Sequence, residues 1–189
     1  MTLAHKAFTT TTFKAIVLAV FAVAILSPTV ACNTKNKPTP ENFISTLNAY
    51  FSEHPDCLLV DTRFPYETSD PAKTKQLNTL VKSQLLEVSV ETAIHASRFT
   101  VTPTGARYAP RFCFGHRIVT SIDSSTPLTV VNGFRQTQVI YHYKMEDVPV
   151  WAKSDDVLAA FPKLATATSG QAFDHATLVQ TIAGWQVPD

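Results

Sequence analysis

Three hydrophobic patterns follow one another along this chain: an unbroken apolar run, then helical periodicity, then strict alternation. The run Ala15–Leu26 is twelve apolar residues without a break, preceded by Lys6 and Lys14 and closed by Ser27-Pro28. Twelve helical residues reach only about 18 Å, well short of a bilayer's hydrocarbon thickness, so the run predicts no permanent span. Thr39-Pro40 then reads as an N-cap with proline at the first helical position. Phe43, Leu47, Tyr50 and Phe51 recur at helical spacing to about His54, and Pro55 stops them. Cys57-Leu58-Leu59-Val60-Asp61 is a short apolar run of strand type or the buried end of a helix, and Thr62 to Asp70 reads as a loop. Asp70-Pro71 repeats the cap-plus-proline start of a second helix, predicted to about Leu86, with Leu77, Leu80, Val81 and Leu85 on its apolar face.

Farther on, Phe99–Tyr108 predicts two extended pieces around Pro103-Thr104-Gly105. From Arg111 the period becomes two. Phe112, Phe114, His116, Ile118, Thr120 and Ile122 fall on one face of a long strand, with Cys113, Gly115, Arg117, Val119 and Ser121 on the other. Leu128–Val131 and Thr137–Met145 are further strands, joined by the turn signal Asn132-Gly133. A late helix is expected at Asp155–Phe161, ended by Pro162, and Thr166–Gly170 reads as a loop. Ala176–Thr181 and Trp185–Val187 predict a closing hairpin across Gly184. The fold expected is therefore α+β: two N-terminal helices, then a mainly antiparallel sheet with one late helix.

Leu77–Glu87 followed by Phe99–Tyr108 resembles the last helix and wing of winged-helix domains, with Gln84 where that pattern carries glycine. The resemblance implies a winged-helix-like shape for the two helices; a helix followed by an ordinary β-hairpin is the alternative. It does not imply nucleic-acid binding here, because the start of the chain points to export.

The positive start, apolar middle and small residues before Cys32 have the order of a secretory signal peptide. Val30-Ala31-Cys32 resembles the lipobox of bacterial lipoproteins, with Thr29 where leucine is usual. That resemblance implies cleavage before Cys32 and lipidation of its thiol, with acyl chains holding the domain to a membrane at roughly 0.8 kcal/mol per buried methylene. Asn33 rather than aspartate after the cysteine implies outer-membrane sorting in a diderm host. Thr29-x-Ala31 also suits ordinary signal peptidase, so a freely secreted chain is the alternative. The organisation expected is a signal peptide over 1–31, a lipid-anchored polar tether over 32–38 and one α+β domain over 39–189.

Sixteen Lys and Arg against fifteen Asp and Glu leave a formal net charge of +1, so no global charge draws the chain to nucleic acid. With Cys32 acylated, Cys57 and Cys113 remain in an oxidising compartment and are expected to form a disulfide; two buried thiols are the alternative. Arg98, Arg107, Arg111 and Arg117 lie in a stretch with no acid between Glu91 and Asp123. They form a candidate anion-binding segment for a lipid headgroup, cell-wall polymer or acidic protein, or else line the solvent face of a sheet. Cys113 and His116 fall on opposite faces of a strand, poor geometry for a nucleophile and its base. The six histidines include no H-x-x-x-H pair, and the five glycines no phosphate-binding loop, so no metal or cofactor is implied. The function expected is a non-enzymatic envelope module that binds an envelope protein or anionic component. An envelope enzyme without a readable motif, or an inhibitor or immunity-type lipoprotein, are the alternatives.

Overall fold

The computed structural model describes residues 34–93 and 95–188, so the apolar run and Cys32 lie outside the described residues. The elements run α1 (Pro40–Glu53), β1 (Tyr66–Thr68), α2 (Pro71–Lys82), β2 (Leu86–Glu91), β3 (Ala96–Val101), β4 (His116–Ser125), β5 (Thr129–Val131), β6 (Phe134–Glu146), α3 (Asp155–Ala160), α4 (Pro162–Thr168), β7 (Ala172–Thr181) and β8 (Gly184–Gln186). Both caps form as read. The Asn42 N–H donates to Thr39 Oγ1 at 3.4 Å and the Ala72 N–H to Asp70 Oδ1 at 2.8 Å, each with proline at the first helical turn.

The α+β class holds, but the arrangement expected for it does not. Two N-terminal helices feeding one sheet are replaced by four helices spread along the described residues, and by two antiparallel sheets that dominate the fold. β1 separates α1 from α2 and joins the small sheet, ordered β1-β3-β2. The large sheet runs β4-β6-β7-β8, with β5 also on β6. The late helix α3 ends at Ala160, just before Pro162, as expected. Pro162 also starts the further helix α4, where Thr166–Gly170 was expected to be a loop, because proline's missing N–H is harmless in a first turn. α2 stops at Lys82 because Gln84 takes a left-handed backbone (φ 60). The hairpin that follows is Leu86–Glu91 against Ala96–Val101; Pro103–Tyr108 folds as turns, with a 3₁₀ segment at Gly105–Arg107, rather than as a second arm. The segment that resembles a winged-helix helix and wing is one helix followed by this hairpin.

A single core joins the two sheets through the helices. Phe43, Leu47 and Phe51 of α1 face the large sheet, where Phe43 meets Trp185 edge-on at 5.1 Å and Phe51 meets Tyr141 at 5.8 Å. β6 alternates cleanly, burying Thr137, Val139, Tyr141 and Tyr143. Leu77 and Leu80 of α2 join Leu85, Leu86, Phe99 and Phe112 in the same core, and Val157, Phe161, Leu164 and Ala167 complete it. Each large side chain so buried contributes about 1.5–3 kcal/mol. The described part of the expected tether, 34–38, is fastened to this unit. Asn42 Nδ2 donates to the Thr34 and Lys37 carbonyls, Gln180 Nε2 to the Asn36 carbonyl, and Trp185 Nε1 to the Lys37 carbonyl.

Candidate functional site

The arginine segment predicted as an anion site is drawn apart by the fold. Arg98, on β3, pairs with Glu67 of β1 at 3.3 Å. Arg107 and Arg111 are exposed in the turns between β3 and β4, and among the described residues neither makes an ion pair or side-chain hydrogen bond. Arg117 turns inward. The predicted alternation assigned it the face opposite the core, but β4 begins only at His116: Phe112 (φ 54) and Gly115 (φ 119) break the strand upstream. The phase counted from Phe112 therefore does not carry through. Val119, two residues from Arg117 and on its face, is 3% exposed and pairs with Tyr143 of β6.

Around Arg117 a half-buried polar centre is built at the edge of this core. Its Nε donates to Asp56 Oδ2 at 2.8 Å, and Nη2 donates to Asp56 Oδ1 at 3.0 Å. Nη1 donates to Asp174 Oδ2 at 2.7 Å and to the Tyr141 hydroxyl at 3.0 Å. The guanidinium also lies 5.1 Å from the Phe51 ring centroid and 4.7 Å from that of Tyr143, within cation–π range. Four of the five guanidinium N–H groups are thereby used.

Each partner is placed by the backbone around it. The Asp56 N–H donates to the Gly115 carbonyl at 2.9 Å, and its own carbonyl accepts from the Phe114 N–H at 2.8 Å. Beside it, Cys57 is bonded to Cys113, so the expected disulfide is present. The predicted strand Cys57–Asp61 is only an isolated bridge at that cystine, its apolar residues held to the turn before β4 through Leu58 and Leu59 N–H groups. Gly115 can be nothing larger: its φ of 119° is strained for other residues, and a Cβ there would collide with the Glu146 carbonyl. Asp174 stands opposite Tyr141 in the β6–β7 register.

The electrostatics follow from these neighbours. Burial lowers the tendency of Arg117 to stay charged, but the Asp56 and Asp174 carboxylates more than compensate and raise its pKa above the ordinary value. Burial pushes the Tyr141 hydroxyl up to about 12 against the opposing pull of Arg117, and burial raises Tyr143 as well. Tyr141 is therefore a neutral donor and acceptor, not a base. Two carboxylates on one guanidinium leave a net negative charge, so Arg117 is not available to an anionic ligand.

Two clefts open on either side of this centre, sharing Asp56, Arg117 and Asp174. One, about 480 Å³, is lined by Tyr50, His54 and His175; the other, about 690 Å³, by Leu58, Lys73, Gln76 and Phe161. Cys113 has its sulfur in the disulfide, while His116 Nδ1 lies 3.5 Å from Asp147. Among the described residues no His, Cys, Asp or Glu group is arranged to hold a metal, and no helix is long and apolar enough to cross a membrane.

Asp56, Asp174 and Tyr141 were not among the residues singled out from sequence. A signal was present: Asp174 shares the inward phase of Ala172 and Leu178, and an acid in that phase needs a cation beside it. Comparison with protein-family models, curated proteins and solved structures returns no match.

Proposed function

We propose that this chain is an exported protein held to a bacterial envelope membrane by acyl chains on Cys32, and that its domain binds another envelope component without catalysing a reaction. The observation that carries the reading is the disulfide. Cys57 and Cys113 bond to each other, as cysteines do in oxidising compartments, and the third cysteine of the sequence is the one in Val30-Ala31-Cys32. Asn33 after it favours the outer membrane if the host is a diderm.

For the binding surface, the engagement of Arg117 and Arg98 narrows the anionic-partner reading to the exposed pair Arg107 and Arg111. A second reading, an inhibitor or immunity-type lipoprotein gripping one protein, is favoured by Ile140 and Phe173, which are 42% and 70% exposed on neighbouring strands of the large sheet. The anchor is tested by Cys32→Ser, which should abolish palmitate incorporation and move the protein from membrane to soluble fraction. Unchanged labelling and membrane retention would overturn it.

A further inference from the structure

An open strand edge needs backbone partners, and folds usually protect such edges. Here the other short or outer strands are protected. β1, β5 and β8 are three residues each. β4 carries two register shifts, and its Val119 N–H is taken by Asn48 Oδ1 at 2.7 Å. β2 has none of these devices. It runs six residues in unbroken register with β3, and its sequence, Leu86-Glu87-Val88-Ser89-Val90-Glu91, holds no lysine or proline. Among the described residues, no backbone hydrogen bond outside the β3 ladder engages Glu87 to Glu91. Glu87, the acid nearest the middle of the strand, is turned back to β3, accepting from Thr100 Oγ1 at 2.8 Å. Val88 and Val90 are 40% and 70% exposed beside the buried Leu86 and Phe99.

We propose that β2 is a dimerisation edge, pairing antiparallel with β2 of a second copy of this chain to join the two small sheets into one. The occupant is argued from the strand's self-complementarity. With the two-fold axis at Val88, Val88 faces its own copy, Leu86 faces Val90 of the second copy, and Glu87 faces Ser89. The apolar row then continues unbroken across both sheets with no like charges opposed. Moving the axis to Ser89 sets Glu87 against Glu91 of the other copy. Slipping the pairing by one residue sets valine against serine and breaks the apolar face. Of these three registers, the one centred on Val88 alone satisfies both the charges and the faces along the length of the strand.

The test uses the full-length protein carrying Cys32→Ser, so that acyl chains do not drive association. Sedimentation should find a dimer at micromolar concentration, and Val90→Lys should weaken it at least roughly tenfold without lowering the melting temperature. Val88→Cys should crosslink to itself on mild oxidation, since residues on the axis face each other, whereas Val150→Cys, 86% exposed elsewhere, should not. A monomer at every concentration overturns the proposal. So does a dimer that keeps its affinity in Val90→Lys and fails to crosslink at Val88→Cys, because the interface is then elsewhere.

Discussion

Arg117 holds both carboxylate oxygens of Asp56, at 2.8 and 3.0 Å, across sixty-one residues of sequence. Asp56 is next to Cys57, and the Cys57–Cys113 bond ends four residues before Arg117. One covalent link and one ion pair therefore fasten the segment after α1 to the start of β4. Arg117, one of the four arginines offered as an anion-binding segment, is thus engaged by two carboxylates of its own chain.

Replacing Arg117 by methionine should leave the Asp56 and Asp174 carboxylates facing each other without their cation. A partly buried pair broken on one side loses about 2–4 kcal/mol, somewhat less than a fully buried one. Urea unfolding of Arg117→Met should show that loss, and adding Asp56→Asn with Asp174→Asn should recover part of it. A single variant as stable as the parent would mean the centre contributes nothing net.

Alkaline pH should act through Tyr141. Its folded pKa of about 12 lies above the unfolded value of 10.0, so the folded state binds the proton more tightly. Stability is then fully present below pH 10 and falls as pH rises towards 12, by about 3 kcal/mol when the fall is complete. Thermal melts across this range should show the decline, and Tyr141→Phe should flatten it, leaving the smaller slope of Tyr143. An identical slope in Tyr141→Phe would remove Tyr141 as its source.

Local signals in this sequence were legible where one physical rule acts alone. Thr39-Pro40 and Asp70-Pro71 start helices as read, and Asn132-Gly133 turns with φ of 51° and 81°, as a tight hairpin needs. Signals failed where the backbone departs from a regular period. The irregular backbone before β4, above all Gly115 between the buried Phe114 and Arg117, shifted the phase and hid the inward turn of Arg117. β2 was missed although Leu86–Glu91 alternates, because Leu86 was read as the end of α2. The centre itself joins residues from α1's exit, β4, β6 and β7, a convergence that depends on sheet order rather than on spacing along the chain.

The disulfide closes a loop with a sequence separation of 56, which the chain-entropy treatment converts to about 4 kcal/mol. Cys57→Ser with Cys113→Ser should lose stability of that order in denaturant unfolding, and reductant should do the same to the parent. Free-thiol labelling of denatured, unreduced protein should find neither cysteine reactive; stoichiometric labelling of both would contradict the bond.

The Arg107 and Arg111 side chains are exposed and have no hydrogen-bond or ion-pair partner among the described residues, so substituting them costs the fold little. Arg107→Gln with Arg111→Gln should keep the melting temperature while sharply reducing recovery of crosslinked envelope components. Unchanged recovery would move the contact to another surface, and Phe173→Ser would then be the variant to compare.

The central claim, an exported chain anchored through Cys32, is tested most directly by the intact mass of the mature protein isolated from its native membrane. The account predicts a chain beginning at Cys32 with the added mass of diacylglycerol and a further acyl group, lost in favour of unacylated protein when Cys32 is serine. A mature chain that begins at an unmodified residue 32 or later would contradict it.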